Sequence, residues 1–401
     1  MIFGYDTQKI RQDFPVLKKH IIYFDNACMS LKPVQVINKM NEYYYEYTAC
    51  AGRSSHRHAL RVESEVESAR SEVRQFINAQ HNSEIIFTRN TTEGINIIAS
   101  SIGLEKGDEV IISDKEHNSN LIPWLRLVRK GIKLVVAESN SDNTFSLENF
   151  KRCFTEKTKL VSLTFTSNLD GVTNPVRDIA RIVHKNRALL MVDAAQAAPH
   201  KEINVREIDI DFMAFSGHKM LAPTGTGVLY GKKSMLEKME QFITGGETVV
   251  DSTYTSYTME ELPMRFEAGL QDYAGIIGLG EACRYLKRVG MRKISEHEKS
   301  LNEIITEGLN SISNISIIGP ELPQDRGGIF SFNIEGMDMH HVSKILDASK
   351  RIMTRSGAHC VHSWFNKHNL KGSVRASLYL YNTEEETRIF VEEVKKIIKI
   401  I

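Results

Sequence analysis

The sequence predicts an α/β fold whose central sheet is covered by helices on both faces. Short apolar runs bounded by turn residues alternate along the chain with amphipathic helical patterns, and this alternation is typical of α/β proteins. The apolar runs are nearly continuous, which indicates strands that are buried on both sides of the sheet. The predicted strands are 84–87, 109–112, 133–137, 160–165, 188–192 and 212–215.

Helical patterns fall between these strands and continue after them. The helix predicted over 92–101 follows Asn90-Thr-Thr-Glu93, a capping signature that satisfies free N–H groups of the first turn. A second helix is predicted over 176–186, and Gly225-Thr-Gly227 is typical of a turn that enters another strand. The C-terminal part has its own predicted elements, a helix over 274–289 and strands over 329–333 and 373–378.

The length of the chain indicates two domains. With 401 residues, of which 41% are hydrophobic, the chain exceeds the size at which one core usually suffices and has enough apolar residues for two. The change of pattern near Gly269 predicts a large domain over 20–269 and a smaller α/β domain formed by 1–19 and 270–401.

The balance of charge argues against two kinds of partner. The chain has 51 basic and 50 acidic residues and no dominant charge block, so neither nucleic acid nor an anionic membrane is expected as the main partner. No run approaches the roughly 20 apolar residues that cross a bilayer, and the first residues lack the apolar stretch of a signal peptide. A cytoplasmic protein is therefore expected. Its five cysteines are an odd number and widely spaced, which favours free thiols.

The segment from Met191 to Lys219 carries the clearest chemical signal. Asp193 ends one apolar strand, and Lys219 follows another strand after Ser216 and His218. An amine in this setting can form a Schiff base with an aldehyde cofactor, while the hydroxyl and the imidazole lie near the cofactor's phosphate. The Asp193 carboxylate can keep a pyridine nitrogen protonated, which makes the ring an electron sink. These residues predict a site for pyridoxal 5'-phosphate.

Nine segments, in order along almost the whole chain, resemble one enzyme family. The chain resembles the class V branch of fold-type I pyridoxal phosphate enzymes and, within it, the SUF-type (group II) cysteine desulfurases, which mobilise sulfur for iron–sulfur cluster assembly. One such motif would be weak evidence, whereas nine in matching order and approximate spacing are strong. The segments are Tyr23-Phe-Asp-Asn-Ala27, Arg89-Asn-Thr-Thr-Glu-Gly-Ile-Asn96, Glu116-His117 before Pro123-Trp124, Thr166-Ser-Asn168, Asp193-Ala-Ala-Gln196, Ser216-Gly-His-Lys219, Arg265-Phe-Glu-Ala-Gly269, Arg355-Ser-Gly357 with Cys360, and Arg375-Ala-Ser377 before Tyr381-Asn-Thr383.

The resemblance implies a fold-type I transferase with a mostly parallel seven-stranded sheet in the large domain, and a homodimer as the active unit. It implies that Lys219 bonds covalently to the cofactor and later moves the substrate's α-proton. The cofactor phosphate would lie at a helix N-terminus and be held by Thr91 and Thr92 together with Ser216 and His218.

The other pocket residues are assigned by the same resemblance. His117 would stack on the pyridine ring and take part in proton transfer. Asn168 and Gln196 would hydrogen-bond the phenolic oxygen of the cofactor, with Asn168 also close to the substrate. Arg375 would bind the substrate α-carboxylate, for which a planar guanidinium is better suited than a lysine, and Arg355 would be a second polar contact.

The implied reaction converts L-cysteine to L-alanine. Cys360 would attack the substrate sulfur and hold it as a persulfide, to be passed to an unidentified acceptor protein or thiol or reduced to sulfide. A mobile loop is expected there, because a histidine-bearing stretch rather than a strand follows Cys360. Three alternatives stay open at this stage. They are a lyase acting on L-selenocysteine, another class V aminotransferase or lyase that does not need this thiol, and a cofactor-binding scaffold without turnover.

Several positions depart from the SUF-type pattern. Gly52 stands before Arg53 where the family often has a histidine, and Ala358 replaces the first histidine of a His-His-Cys ending. Leu270 replaces a threonine that usually reaches the cofactor phosphate of the other subunit. Cys28 is expected to be a buried structural cysteine, with a second thiol near the pocket as the alternative.

No metal site is expected. Histidines occur in close pairs at 56 and 58, at 340 and 341, and at 359 and 362, but none forms the spaced pairs typical of structural zinc. A tightly bound zinc ion would also sequester the thiolate that the implied reaction needs.

Overall fold

The computed structural model describes residues 5–52, 54–310 and 312–399, so that Arg53, Ser311 and both chain ends lie outside the described residues. The predicted α/β fold is confirmed. The strands are β1 (Ile22–Tyr23), β2 (Ile85–Thr88), β3 (Glu109–Ser113), β4 (Lys133–Ala137), β5 (Thr158–Thr164), β6 (Leu189–Asp193), β7 (Phe212–Ser216), β8 (Gly227–Gly231), β9 (Val249–Ser252), β10 (Tyr257–Met259), β11 (Ile315–Ile318), β12 (Ile329–Ile334), β13 (Ile352–Met353), β14 (Arg355–Gly357) and β15 (Ser373–Ser377). The α-helices are α1 (Thr7–Gln12), α2 (Val34–Glu46), α3 (Arg57–Phe76), α4 (Thr91–Ser101), α5 (Asn118–Val128), α6 (Leu147–Arg152), α7 (Val176–Lys185), α8 (Val205–Ile208), α9 (Lys233–Leu236), α10 (Tyr273–Val289), α11 (Met291–Leu309), α12 (Met339–Lys350), α13 (His362–Lys367) and α14 (Glu384–Ile398).

The larger sheet has seven strands in the order β2-β8-β7-β6-β5-β3-β4. β3 pairs in parallel with β4 and β5, and β6 pairs in parallel with β5 and β7, whereas β8 runs antiparallel between β7 and β2. The predicted mostly parallel seven-stranded sheet is thereby confirmed. Because parallel strands end at the same edge of a sheet, Thr164, Asp193 and Ser216 at the ends of β5, β6 and β7 lie together there.

Both faces of this sheet are buried. In β2, Ile85 and Phe87 belong to one hydrophobic core while Ile86 belongs to another. In β3, Ile111 belongs to the first core and Val110 to the second. Successive side chains of a strand point to opposite faces, so a sheet with two buried faces needs an apolar residue at almost every position. This is the physical reason for the continuous apolar runs in the sequence.

A second sheet of four antiparallel strands forms in the C-terminal part, in the order β11-β12-β15-β14. Its core combines Phe330 of β12 with Leu346 of α12 and Phe390 of α14. The strands predicted over 329–333 and 373–378 correspond to β12 and β15.

The short strand β1 ties the N-terminal residues to the C-terminal part. It pairs in parallel with β13, and Asp25 forms a β-bridge with Ser377. Ile22 and Phe24 therefore lie in the C-terminal core, whereas Phe14 lies in the core of the larger sheet. This pairing places the turn after β1 close to the carboxyl edge of the larger sheet.

The predicted division into 20–269 and 1–19 with 270–401 stays a prediction. Helix α10, which follows Gly269, still packs in the core of the larger sheet. Among the helices of the described residues, none is both long enough and apolar enough to cross a bilayer.

Candidate active site

A cavity of about 240 Å³ lies at the carboxyl edge of the larger sheet. Every residue that the sequence predicts for the site lines this one cavity, although these residues come from many parts of the chain. The structure thus brings the predicted set together, while the role of each member stays a prediction. The set comprises Thr91, Thr92, His117, Asn168, Asp193, Gln196, Ser216, His218, Lys219, Arg355, Cys360 and Arg375.

Lys219 lies in a short 3-10 turn, Gly217–Lys219, directly after β7. The turn closes on the segment before β8, since the N–H of Gly217 donates to the carbonyl oxygen of Thr226 at 2.9 Å. A Cβ atom at Gly217 would lie 2.7 Å from Thr226 Oγ1, so glycine is required at this close approach. On the other side, the N–H of Ser30 donates to the carbonyl oxygen of His218 at 3.0 Å. The lysine turn is held from both sides.

The surroundings of Lys219 disfavour its charged form. Burial lowers the pKa of Lys219, and Arg375 acts in the same direction while Asp193 opposes it. Burial also raises the pKa of Asp193, whose Oδ1 accepts a hydrogen bond from the N–H of Ala195 at 2.9 Å. A lysine with a lowered pKa provides more of the neutral amine, which is the nucleophilic form.

Hydroxyl groups gather at the N-terminus of α4, beside the lysine turn. The side chain of Asn90 caps the helix. The N–H of Thr91 donates to Ser216 Oγ at 2.8 Å, and the two side-chain oxygens lie 2.6 Å apart. Thr92 Oγ1 lies 2.7 Å from Ser119 Oγ. A helix N-terminus carries partial positive charge, so this arrangement suits a phosphate group.

His117 is a neutral ring with a defined proton position. Its Nδ1 accepts a hydrogen bond from the N–H of Ser119 at 3.0 Å and so caps α5. Burial, followed by the charges of Lys219 and Arg375, lowers the pKa of His117 to about 3. Because Nδ1 is an acceptor, the neutral ring carries its proton on Nε2.

Asn168 and Gln196 anchor the cavity wall to two loops. Asn168 Nδ2 donates to the carbonyl oxygen of His359 at 2.8 Å, and Gln196 Nε2 donates to that of Ala27 at 2.7 Å. Gln196 Oε1 is buried without a hydrogen-bond partner among the described residues. This amide therefore retains an unused acceptor.

Two arginines approach one carboxylate at the cavity. Asp25 Oδ1 lies 3.6 Å from Arg375 Nη2, and Asp25 Oδ2 lies 3.8 Å from Arg355 Nη1. Arg375 Nη1 also donates to the carbonyl oxygen of Asn168 at 2.9 Å, and its Nε has no partner among the described residues. Burial lowers the pKa of Arg375 to about 10, so the side chain stays charged at neutral pH. A buried guanidinium with an unused N–H suits a carboxylate ligand.

Cys360 lies in a turn with an uncommon backbone conformation. His359 and Cys360 have φ angles of 49° and 59°, in the left-handed region that residues other than glycine seldom adopt. The N–H of Asn118 donates to the carbonyl oxygen of Cys360, and that of Val361 to the carbonyl oxygen of Ala358, both at 2.7 Å. Helix α13 follows directly, so the stretch after Cys360 is not a strand, as expected. Mobility of the turn stays a prediction.

Apolar side chains explain this helix and one of the departures from the SUF-type pattern. Val361, Trp364 and Phe365 pack in a small core, and Ala358 packs against it. An alanine suits this apolar contact better than a histidine does. Gly52 is also explained, because its φ of 81° favours glycine.

The structure corrects the expectation for Cys28. This residue is only half-buried and lines the cavity, so it is the second thiol near the pocket rather than a buried structural cysteine. Arg355 Nη1 donates to its Sγ at 2.9 Å. All five cysteines are free, as predicted.

Three residues at the site were missed by sequence reasoning. Asp25 has no predicted role beyond its place in a matching segment, and it lies two residues after β1, whereas Asp193 ends β6. His359 is expected only as a neighbour of Cys360 and as a rejected candidate for metal binding, and Ser119 carries no local signal at all. Within the described residues, no group of three or more histidine, cysteine, aspartate or glutamate side chains is arranged to hold a metal ion.

Comparison with known proteins places the chain in a family. The family model for Aminotransferase class-V matches residues 22–390. A probable cysteine desulfurase of Halalkalibacterium halodurans is 40% identical over 400 residues and one of Methanothermobacter thermautotrophicus is 40% identical over 395 residues, each alignment covering 98% of both chains.

Solved structures agree with this assignment. The apo cysteine desulfurase of Thermococcus onnurineus NA1 matches with a TM-score of 0.95 and 36% identity over 98% of both chains. The S-sulfonic acid form of the cysteine desulfurase CsdA of Escherichia coli matches with a TM-score of 0.92 and 30% identity over 99% of both chains. From the family match over most of its length and from these full-length likenesses, the chain belongs to the class-V aminotransferase family.

Proposed function

We propose that this chain is a pyridoxal 5'-phosphate-dependent cysteine desulfurase that converts L-cysteine to L-alanine and retains the sulfur as a persulfide on Cys360. The observation that carries the proposal is the composition of one cavity. Lys219 supplies an amine of lowered pKa, Asp193 a buried carboxylate and Cys360 a thiol. Relatives that carry the name probable cysteine desulfurase, at 40% identity over nearly the full chain, support the same reaction.

The polar groups of the cavity fit a bound cofactor together with its substrate. Gln196 Oε1, His359 Nδ1 and Arg375 Nε are buried without hydrogen-bond partners in the described residues. Such a group costs roughly 1–3 kcal/mol unless a bound molecule supplies its partner. The hydroxyl cluster at α4 suits a phosphate, and Asp193 suits a protonated pyridine nitrogen.

The residues that would hold the cofactor follow from their places in the cavity. The phosphate would be held by Thr91, Thr92, Ser216 and His218 at the N-terminus of α4, and the pyridine nitrogen by Asp193. His117 would lie on the ring, and Asn168 and Gln196 would contact the phenolic oxygen. When bound, the cofactor supplies an electron sink for the substrate's α-carbon.

Side chains of the protein would bind the substrate, transfer its α-proton and remove its sulfur. Arg375, buried and charged with an unused Nε, would bind the substrate carboxylate, with Arg355 nearby. Lys219 would accept the α-proton as a neutral amine and later return a proton to carbon. Cys360 would attack the substrate sulfur, so that the carbon–sulfur bond breaks, a sulfur–sulfur bond forms and alanine is released. No external oxidant is consumed in this exchange.

The reaction is tested by incubating the cofactor-loaded protein with L-cysteine and a thiol reductant and measuring alanine and sulfide together. Equal yields of both are expected, because each turnover releases one of each. Pyruvate in place of alanine would show elimination, and a requirement for a keto acid would show transamination. Parallel assays with L-selenocysteine separate the desulfurase from a selenocysteine lyase.

We also propose that the active unit is a homodimer. Residues 242–270 carry large apolar side chains that are exposed in the single chain, namely Phe242, Ile243, Val250, Tyr254, Tyr257, Met264 and Leu270. The segment also contributes to a cavity of about 530 Å³. Exposed apolar side chains concentrated in one segment are typical of an interface. Leu270, which is 67% exposed, would then face the partner rather than water.

The dimer is tested by light scattering of the purified protein. Val250→Asp and Leu270→Asp should shift the population toward monomer, because each places a charge in the apolar contact. Leu322→Asp is the matched control, since Leu322 is also exposed (55%) but lies outside this segment. A fully active monomer of the unmodified chain would contradict the proposal.

The sulfur acceptor is proposed to be a protein or a small thiol. A cytoplasmic location is proposed with it, because a reducing compartment keeps five free cysteines reduced.

A further inference from the structure

Two cysteines line the candidate active site, and the proposed reaction uses only one of them. Cys28 comes from the turn after β1 and Cys360 from the turn before α13, yet both border the same cavity. Ala27 and His359, the residues that precede the two cysteines, each accept a hydrogen bond through the carbonyl oxygen from an amide side chain of the cavity wall.

The position of Cys28 is fixed by contacts on both sides of its turn. The N–H of Cys28 donates to the carbonyl oxygen of Asp25 at 3.1 Å, which closes the turn. The carbonyl oxygen of the preceding Ala27 accepts from Gln196 Nε2 at 2.7 Å. These contacts join the turn to the end of β6, so Cys28 borders the cavity that also contains Lys219.

Arg355 gives the Cys28 sulfur a positively charged partner. Its Nη1 donates to Cys28 Sγ at 2.9 Å, and the same nitrogen lies 3.8 Å from Asp25 Oδ2. A guanidinium contact of this kind stabilises a sulfur atom that carries negative charge. The Cys28 sulfur is such an atom when it attacks as a thiolate. The other three cysteines, at positions 50, 153 and 283, do not line this cavity.

We propose that Cys28 is a second sulfur-carrying site, which takes the terminal sulfur from the persulfide of Cys360. The inference rests on the proposed function, because that reaction supplies the persulfide. The Cys28 sulfur attacks the outer sulfur, the sulfur–sulfur bond to Cys360 breaks, and a new sulfur–sulfur bond forms on Cys28. Cys360 leaves as a thiolate and recovers the proton that Cys28 gives up. One such bond replaces another, so neither an oxidant nor a reductant is needed.

The transfer changes the number of sulfur atoms that one chain can hold. It frees Cys360 for another turnover before any acceptor has removed the first sulfur. Each chain can then store two sulfur atoms, whereas a chain with Cys360 alone stores one. In the absence of acceptor and reductant, the initial burst of alanine reports this capacity.

The test mixes the cofactor-loaded protein rapidly with L-cysteine and no other thiol. Alanine and the alkylated, mapped peptides are measured in the fast first phase, before L-cysteine itself removes stored sulfur. Persulfide is expected on Cys360 and on Cys28, with a burst of about two alanines per chain that falls to about one in Cys28→Ser. Cys50→Ser is the matched control and should keep the larger burst. A burst that is the same in Cys28→Ser as in the unmodified chain, with no persulfide on Cys28, overturns the inference.

A further variant separates the transfer from direct attack on the substrate. In Cys360→Ala, Cys28 should carry no persulfide, because its sulfur comes through Cys360; a persulfide on Cys28 in that variant overturns the transfer. A burst of one alanine with persulfide only on Cys360 leaves the desulfurase proposal standing and removes the second site. No alanine and no persulfide in the unmodified chain would overturn both.

Discussion

Burial acts in opposite directions on Lys219 and Asp193, the two charged groups at the centre of the site. It lowers the pKa of the lysine and raises that of the carboxylate, so the charged form of each is disfavoured by its surroundings. Each group offsets part of this cost for the other. Perturbed groups that face one cavity are the expected signature of a reactive centre.

Asp193→Asn should slow the loss of the α-proton of L-cysteine by about 10²- to 10³-fold, the scale seen when one positioned electrostatic contact is lost. A neutral amide cannot keep a pyridine nitrogen protonated. The cofactor should still bind, since the hydroxyl cluster at α4 is unchanged. Exchange of the α-proton in deuterated water, followed by NMR, measures the effect. Asp142→Asn, at an exposed carboxylate, is the control, and near-normal exchange in Asp193→Asn would rule out the assigned role.

Cys360→Ala should separate the two halves of the reaction. In the proposed reaction, removal of the α-proton needs Lys219 and the cofactor, whereas removal of sulfur needs a nucleophile. The variant should therefore still exchange the α-proton but lose alanine formation by at least about 100-fold. Alanine and persulfide assays check this, with Cys153→Ala as the control thiol. An unchanged rate of alanine and sulfide release would favour another class V aminotransferase or lyase.

Short elements, rather than the long helices, position the reactive atoms. The 3-10 turn Gly217–Lys219 holds the lysine, the first turn of α4 holds the hydroxyl groups, and the left-handed turn at 359–360 holds the thiol. Each is fixed by hydrogen bonds to segments that are distant in sequence, such as the one between the N–H of Asn118 and the carbonyl oxygen of Cys360. Their geometry depends on neighbours more than on local propensity.

Gly217→Ala should destabilise the protein by about 1–3 kcal/mol, the usual cost of forcing an extra group into a packed site. The new Cβ would lie 2.7 Å from Thr226 Oγ1, so the lysine turn would also have to move. Urea unfolding and the yield of lysine reduced onto the cofactor by borohydride measure the two effects. Adding Thr226→Ala should recover part of the loss, because it removes the closest atom. Purely additive effects of the two substitutions would show that this contact is not the cause.

The cavity forms where the two parts of the molecule meet. Asp193 ends β6 of the larger sheet and Lys219 lies in the turn after β7, whereas Arg375 lies on β15 of the C-terminal sheet. The turn with Asp25 and Cys28 reaches the site because β1 pairs with β13. The candidate site is therefore complete only when both parts are packed together.

The stability of the whole molecule should depend on pH through His359. This side chain is 5% exposed, and burial, helped by Arg375 and Arg355, lowers its pKa to about 2. The unfolded chain has a histidine pKa of about 6.5. Because the folded pKa is the lower one, the contribution of His359 to stability is present above about pH 6.5 and is lost as the pH falls toward the folded value.

Between pH 7.5 and pH 5.5 the free energy of unfolding should therefore fall by about 1 kcal/mol more in the unmodified chain than in His359→Gln. Urea unfolding at the two pH values measures the difference. His20→Gln is the control, because His20 is exposed. An equal pH dependence in the unmodified chain and in His359→Gln would show that His359 is not buried in its neutral form.

Much of the fold and of the site could be predicted from the sequence because the signals are local. The predicted strand 133–137 coincides with β4, and the helix predicted over 92–101 begins one residue after the start of α4. Both faces of the larger sheet are buried, so the sequences of its strands are continuous apolar runs. Asp193 is predicted because it ends such a run, and Lys219 because it follows another run after Ser216 and His218.

The tertiary structure decided which distant groups meet. Cys28 and Arg355 are 327 residues apart, and their contact depends on the two-residue strand β1, which is too short to give a periodic signal. Helix α13 forms because Trp364 and Phe365 reach a small separate core, which the residues around Cys360 do not reveal. Local sequence patterns determine the elements and their buried faces, whereas the pairing of segments far apart in the chain determines the charges and thiols that share the cavity.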